Sequence, residues 1–158
     1  MAEKKELKRI ASFTVNHDFI KEGMYISRID GDITTYDLRT RIPNCDSFME
    51  NAPMHSMEHL FATYVRNSVI GERVVYFGPM GCQTGFYLLV RNSSDEETFE
   101  VVKDVLRDII AHEGDIPGIT RQECGNYKSH DLEGAKRECR NYLAALEIRG
   151  ANFEYPTE

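Results

Sequence analysis

Two histidines and a glutamate lie close together in this sequence at a spacing that suits metal chemistry. His55 and His59 are four residues apart, so on a helix their side chains project from the same side, one turn apart. Two imidazoles placed in this way can bind one transition-metal ion. Glu58 lies beside them, where a carboxylate can reach a metal-bound substrate without being a ligand. Paired histidines also occur in folded cores without metal, so this pattern alone leaves both interpretations open.

A helix from Pro53 to Ile70 is predicted to carry these residues. Pro53 suits the first position of a helix, because the N–H that it lacks has no helical partner there. Gly71 is a plausible stop signal after the last turn. Apolar residues recur at three- and four-residue spacing, which predicts one buried face: Met57, Leu60, Phe61, Tyr64 and Val65.

The chain has four cysteines, Cys45, Cys82, Cys124 and Cys139, and no pair has the spacing of a zinc knuckle or a redox dithiol. Cys82 falls in a loop, residues 78–85, that contains three glycines and a proline. Neighbouring backbone N–H groups in such a loop can make a thiolate reactive, and burial as a small hydrophobic residue is the alternative. Cys139 falls on the apolar stripe of a later helix, which favours a core position.

Cys124 lies in a loop and is the best candidate for a soft third metal ligand. A metal held by His55, His59 and Cys124 would keep an open position, as catalytic sites do. A Lewis acid next to the Glu58 carboxylate and the Cys82 thiol suits proton transfer beside a carbonyl group.

The chain length of 158 residues predicts one domain over residues 1–158. The net charge of −7 argues against a general nucleic-acid or anionic-membrane surface. No apolar run approaches the roughly 20 residues that span a bilayer, and residues 1–10 are charged, without an apolar signal core. We therefore expect a cytoplasmic protein whose cysteines are free thiols.

The remaining pattern predicts an α+β fold, with an antiparallel sheet, helices packed on one face and a second subunit covering the other. Asp30-Gly31 between two β-rich runs predicts a hairpin. Ser94 and Glu97 form a capping-box start for a helix. The predicted strands are residues 24–29, 32–39, 73–77 and 86–90, and the further helices are residues 94–112 and 131–147. His130 and Asp131 are interpreted as residues at the start of the second of these helices. A short helix over residues 3–10, an extended segment over 12–15 and a frayed tail over 149–158 complete the prediction.

Four segments, taken together, resemble S-ribosylhomocysteine lyase, the family that makes the autoinducer-2 precursor. The resemblance runs in order from Ser12 to Tyr142. The segments are His55-Ser56-Met57-Glu58-His59, residues 78–87 from Gly78 to Tyr87, Cys124-Gly125, and His130-Asp131-Leu132-Glu133-Gly134-Ala135-Lys136.

This resemblance implies an α+β homodimer with active sites at the subunit interface. It implies one divalent metal per subunit, with Fe(II) expected and Zn(II) or Co(II) possible, bound by His55, His59 and Cys124. The implied reaction converts S-ribosylhomocysteine to homocysteine and 4,5-dihydroxy-2,3-pentanedione, through carbonyl migration by way of enediolates and a β-elimination. The resemblance therefore also implies a place in the activated methyl cycle and in autoinducer synthesis for quorum sensing.

The resemblance also implies roles for five residues. Cys82 and Glu58 are the general acid/base groups, and Arg39 positions the substrate and Cys82. Ser12 and His17 reach into the partner's site. From the residues alone, Ser12 and His17 are interpreted as surface or capping residues. Arg39 is either a solvated strand end or a fixed cation beside an active site.

The sequence departs from the family pattern at two places, Thr40-Arg41-Ile42 and Tyr76-Phe77-Gly78, both near the homocysteine end of the expected substrate. In the first place Arg41 stands where many relatives have a cysteine, and Cys45 is out of register with that position.

Two rival interpretations use the same histidines. His-x-x-Glu-His is also a zinc metallopeptidase pattern, with Glu58 as the base and Glu133 as a downstream third ligand. A structural metal-binding module would instead need a closed site with four protein ligands, in which Cys82 would be the fourth.

Overall fold

The computed structural model describes residues 2–158, and over this range the chain has an α+β fold. Four strands form one antiparallel sheet in the order β1-β2-β4-β3. The strands are β1 (Gly23–Asp30), β2 (Ile33–Arg39), β3 (Val74–Pro79) and β4 (Gly85–Arg91), and the α-helices are α1 (Asn51–Arg66), α2 (Asp95–Ala111) and α3 (Leu132–Arg149). The predicted fold class, an antiparallel sheet combined with three helices, is confirmed.

The two faces of the sheet have different environments, because successive side chains on a strand point to opposite faces. Side chains of β2 and β4 on one face are buried in the core with the helices: Tyr36, Leu38, Phe86, Leu88 and Val90. Their neighbours Thr35, Tyr87 and Leu89 lie on the other face and remain partly exposed. The helices therefore pack on one face of the sheet.

The β1–β2 hairpin is present, but its turn lies one residue later than predicted. Asp30 pairs with Ile33, so the two-residue loop consists of Gly31 and Asp32. Gly31 has φ of 61°, a conformation that glycine adopts without steric cost. Asp30 instead closes the first strand and pairs with Arg28.

Helix α1 begins two residues before Pro53, which is therefore its third residue and not its first. Proline is tolerated there because the N–H groups of the first turn have no partner within the helix. The helix ends at Arg66, four residues before the predicted end. A stack of three phenylalanine rings connects it to the sheet, with ring centroids 4.3 Å apart for Phe61 and Phe77 and 5.0 Å apart for Phe77 and Phe86.

The other two helices begin at side-chain caps. The Ser94 hydroxyl accepts from the Glu97 backbone N–H at 3.1 Å, but the Glu97 carboxylate pairs with Arg73, so only half of the predicted capping box forms. The Asp131 carboxylate caps α3 by accepting from the Gly134 N–H at 2.9 Å. Cys139 is buried on α3 as predicted, and this burial raises the pKa of its thiol.

Three predictions for the chain ends are wrong. Residues 2–10 contain no helix, and a 3₁₀ turn, Ala11–Phe13, replaces the predicted extended segment. The tail is not frayed, because the Phe153 carbonyl accepts from the Ile26 N–H at 2.9 Å and the Phe153 ring packs against the core.

None of the helices within residues 2–158 combines the length and hydropathy of a membrane span.

The ring stack predicts a large effect of truncating Phe61, one of its two fully buried members. Phe61→Ala should lower the free energy of unfolding by about 3–5 kcal/mol, because it removes the ring and leaves a cavity between α1 and β3. Urea denaturation at one fixed protein concentration measures this. Val69→Ala, at a position 80% exposed, is the control and should change stability by less than about 0.5 kcal/mol. Equal losses in the two variants would contradict this packing.

Candidate metal centre and thiol loop

Four side chains converge at the N-terminal half of α1. They are His55, His59, Cys124 and His130, and their ligand atoms all lie within 4.8 Å of one another. The Cys124 Sγ lies 3.5 Å from His55 Nε2, 3.9 Å from His59 Nε2 and 3.6 Å from His130 Nε2. Residues from α1 and from the loop before α3 thus form one compact cluster.

Each imidazole is oriented by a hydrogen bond at its other nitrogen. His55 Nδ1 lies 2.8 Å from the Ser129 carbonyl oxygen, and His59 Nδ1 lies 2.9 Å from the Pro117 carbonyl oxygen. A carbonyl oxygen only accepts, so both Nδ1 atoms carry the proton and donate it. This leaves both Nε2 lone pairs directed at Cys124, which is the arrangement of metal-ligating histidines.

The donor set fits a single transition-metal ion. Metal–nitrogen distances of about 2.0 Å and metal–sulfur distances of about 2.3 Å place tetrahedral sulfur and nitrogen donors roughly 3.5 Å apart, close to the sulfur–nitrogen separations of 3.5, 3.9 and 3.6 Å in the cluster. Burial, together with the neighbouring His55 and His59, lowers the pKa of His130 to about 4. A neutral imidazole is the form that binds metal.

Sequence reasoning missed His130, which was interpreted only as a residue at a helix start. His130 does immediately precede the Asp131 cap, but its ring also stacks on His55 with centroids 4.1 Å apart. Its Nδ1 lies 3.0 Å from the Ser56 hydroxyl. The spacing of six residues from Cys124 was the only available signal. Glu133, the ligand that a metallopeptidase would need, is exposed on α3 and lies outside the cluster.

Glu58 lies beside the cluster in an open cavity of about 270 Å³. His59, Phe77, Pro117 and Gly118 line the same cavity. Glu58 is half-buried on α1, so its carboxylate faces a space large enough for part of a small substrate. The predicted proximity of this carboxylate to the histidines is therefore present in the structure.

Cys82, in the loop between β3 and β4, and Arg39, the last residue of β2, form a second polar group. Cys82 is exposed, and its Sγ lies 2.9 Å from the Thr84 hydroxyl and 4.0 Å from Arg39 Nη1. Arg39 is buried and also donates to Thr84 at 2.8 Å. The structure thus joins the predicted thiol to the predicted cation, and Arg39 is not a solvated strand end.

Ser12 and His17 belong neither to the metal cluster nor to the hydrogen bonds around Cys82 and Arg39. Ser12 lines a cavity of about 280 Å³ on the sheet face opposite the helices, together with Tyr76, Tyr87 and Leu89. His17 Nδ1 lies 2.9 Å from the Val15 carbonyl. Their predicted role in a partner's site stays a prediction.

At the first departure from the family pattern, Arg41 forms an ion pair with Glu138 of α3, and its Nη1 donates to the Ser47 hydroxyl at 2.6 Å. Arg41 and exposed Cys45 line a cavity of about 440 Å³. Arg41 therefore connects the β2–α1 loop to α3 through this ion pair.

The sequence profile of the S-ribosylhomocysteinase (LuxS) family matches residues 10–152. This chain belongs to that family. Similar proteins named S-ribosylhomocysteine lyase include one from Borreliella afzelii (strain PKo), 41% identical over 95% of this chain and 100% of its own length. Another, from Finegoldia magna, is 42% identical over 95% of this chain and 99% of its own length. The family resemblance inferred from the four segments is confirmed.

Gly118 gives a sharp test of the metal centre because it lies against a candidate ligand. It has φ of 70°, and a Cβ there would lie 3.2 Å from His59 Nδ1. Gly118→Ala should displace the His59 ring and lower metal affinity by about 10- to 100-fold, the usual cost of disturbing the partner of a metal-bound histidine. Competition with a chelating dye measures the affinity.

Gly114→Ala is the matched control, since Gly114 has φ of 87° and no neighbouring atom within 4 Å of a built Cβ. Both substitutions carry a similar backbone strain of about 1–2 kcal/mol, but only the first crowds His59. Unchanged metal affinity in Gly118→Ala, or an equal loss in Gly114→Ala, would contradict the assignment of His59 as a ligand.

Proposed function

We propose that this chain is a lyase that cleaves S-ribosylhomocysteine to homocysteine and 4,5-dihydroxy-2,3-pentanedione, the autoinducer-2 precursor. The observation that carries the proposal is the cluster of His55, His59 and Cys124 beside Glu58, in a chain that matches proteins named S-ribosylhomocysteine lyase over nearly its whole length. A cytoplasmic location, as expected for a metabolic enzyme, agrees with its four free thiols.

The ligands we propose are His55, His59 and Cys124, which would hold one divalent metal per subunit. Fe(II) is the expected ion, and the same donor set accepts Zn(II) or Co(II). When bound, this metal supplies Lewis-acid polarisation of the substrate's carbonyl oxygen.

The protein's own side chains must move the protons. Each shift of the carbonyl removes a proton from the carbon beside it and returns one to the former carbonyl carbon. The elimination removes a proton next to the final carbonyl and expels sulfur from the following carbon. Glu58 and Cys82 are the general acid/base groups in this proposal, and Glu58 assists the elimination. Arg39, through its contacts with Thr84 and Cys82, holds the thiol in place and helps position the substrate.

The proposed assembly is a homodimer in which Ser12 and His17 complete the partner's active site. Apolar side chains around the uncovered sheet face support this proposal, since Ile10, Phe13 and Tyr76 are each more than half exposed. Such exposure on one side of a protein is typical of an interaction surface. A second subunit there would cover the cavity that Ser12 lines.

The direct test is release of homocysteine from S-ribosylhomocysteine by anaerobically purified, metal-loaded protein. Thiol is detected with a chromogenic disulfide, and the signal of the protein's own cysteines is subtracted. His55→Ala should lose both bound metal and activity. His112→Ala, at a histidine that instead contacts Tyr64 and the Asp115 carbonyl, should keep the metal. No thiol release from fully metallated wild-type protein would reject the proposed reaction.

Two further variants separate proton transfer from metal binding. Cys82→Ala and Glu58→Gln should each keep one metal per chain and the native fold, while kcat falls by at least about 100-fold, the usual contribution of a general acid/base group. Metal analysis, circular dichroism and single-turnover kinetics measure these quantities. Glu58→Gln is expected to stall after the carbonyl shifts. Full activity in either variant would refute that residue's assigned role.

One observation favours a second candidate, a structural metal-binding module, because His130 provides a fourth donor atom. The absorption spectrum of Co(II)-loaded protein distinguishes the two functions. The lyase proposal predicts that S-ribosylhomocysteine changes the cobalt bands, since substrate reaches an open coordination position. A spectrum that stays unchanged at saturating substrate would favour a closed structural site.

A further inference from the structure

The C-terminal tail reaches the buried polar group behind Cys82. Tyr155 donates its hydroxyl to Asp37 Oδ2 at 2.7 Å. The same carboxylate accepts from Arg39, with Nε to Oδ1 at 3.0 Å and Nη2 to Oδ2 at 2.6 Å. Arg39 in turn contacts Thr84 and Cys82. A continuous chain of contacts therefore runs from Tyr155 to the reactive thiol.

The tail is held in place independently of this hydroxyl. The Tyr155 ring stacks on Tyr25 of β1 with centroids 4.8 Å apart and planes 20° apart. Two residues earlier, Phe153 contacts Phe99 of α2, with centroids 5.9 Å apart. The ring and the backbone therefore anchor the tail, and the hydroxyl is left to bond Asp37.

The Asp37–Arg39 pair is almost completely buried, with side-chain exposures of 1% and 3%. A buried ion pair is favourable only when the remaining lone pairs and protons are also satisfied. Tyr155 provides that additional donor to Asp37. Burial raises the pKa of the Tyr155 phenol, and the Asp37 charge raises it further, so the phenol stays protonated and donates.

We propose that Tyr155 is a positioning residue that fixes Arg39, through Asp37, at the distance from Cys82 that catalysis requires. Tyr155 lies outside the stretch that matches the family profile, which ends at residue 152. The proposal rests on the proposed function for its catalytic consequence only. The contacts themselves predict that loss of the Tyr155 hydroxyl slows alkylation of Cys82, which is measured without the lyase reaction.

The positive charge of Arg39, 4.0 Å from the sulfur, attracts negative charge on Cys82 and so favours its reaction with electrophiles. Without the Tyr155 hydroxyl, Asp37 has an unfilled acceptor and Arg39 is no longer held in one orientation. Tyr155→Phe keeps the ring that stacks on Tyr25 and removes the hydroxyl that bonds Asp37. The expected loss corresponds to one hydrogen bond, about three- to tenfold in rate.

The test compares iodoacetamide alkylation of Cys82 and Cys45 in full-length, metal-loaded protein at one pH, resolved by peptide mass spectrometry. Cys45 is exposed and serves as the internal reference. Tyr155→Phe should slow alkylation of Cys82 by about three- to tenfold and leave Cys45 unchanged. An unchanged or increased Cys82 rate, or an equal change at Cys45, would overturn the proposal.

Tyr142→Phe is the matched control for a loss of stability alone. Tyr142 is a fully buried tyrosine whose hydroxyl donates to the Gly23 carbonyl at 2.9 Å. Both variants should lower the melting temperature by similar amounts, but Tyr142→Phe should leave the Cys82 rate unchanged. If Tyr142→Phe slows Cys82 as much as Tyr155→Phe does, the role of Tyr155 is merely structural.

A double-mutant cycle tests whether the effect passes through Arg39. Arg39→Lys removes the two-point contact with Asp37, so adding Tyr155→Phe should slow Cys82 no further. If the double variant instead slowed Cys82 alkylation by the product of the two single effects, the influence of Tyr155 would not pass through Arg39, and the proposal would be overturned.

In lyase assays Tyr155→Phe should lower kcat about three- to tenfold with KM nearly unchanged. An inactive wild-type protein would reject the lyase function, and the alkylation result would still decide the role of Tyr155.

Discussion

The candidate metal centre depends on the attachment of one loop to helix α1. The buried hydroxyl of Ser56 accepts from the Asp131 N–H at 2.8 Å and contacts His130 Nδ1 at 3.0 Å. The two neighbouring histidines bind loop carbonyls at Pro117 and Ser129. These contacts hold Cys124, more than 60 residues away in sequence, against the same turn of the helix. A metal ion would then find its donors already close together, with little ordering left to do on binding.

A second constraint operates on the opposite face of the sheet. The alternation of β2 directs Tyr36 and Leu38 into the apolar core, while Asp37 and Arg39 point away from the helices. These two charges are buried nonetheless, and they are satisfied by each other, by Thr84 and by Tyr155. One short strand thus stabilises the core with one set of residues and supports the thiol with the other. Arg39 lies at the end of a central strand and Cys82 in the loop between β3 and β4, where packing fixes the position of the arginine.

Much of this arrangement was predictable, because it follows from local periodicity. The helical repeat around His55 and His59 and the turn signal at Gly31 each specify an element from adjacent residues. Recognition of the family depended on several segments occurring together in order. Element ends were less predictable, as Pro53 shows, because any position in the first helical turn tolerates the missing N–H.

Contacts between distant segments were not predictable from local patterns. His130 looked like a residue before a helix cap, and its ring joins the cluster only because Ser56 holds the start of α3 against α1. The tail was predicted to be frayed because most of its residues are polar. Its two aromatic residues, Phe153 and Tyr155, are too few to form a helical or strand pattern. Their contacts with Phe99 and Tyr25 exist only once the sheet and helices have assembled. Long-range packing, not propensity, placed these residues.

The central claim is that one metal is held by sulfur from Cys124 together with imidazoles of α1. X-ray absorption spectroscopy at the metal edge tests this most directly. The account predicts one sulfur at about 2.3 Å and at least two imidazole nitrogens at about 2.0 Å. The sulfur shell should persist in Cys82→Ala and disappear in Cys124→Ala. A metal surrounded only by nitrogen and oxygen in the wild-type protein would contradict the account.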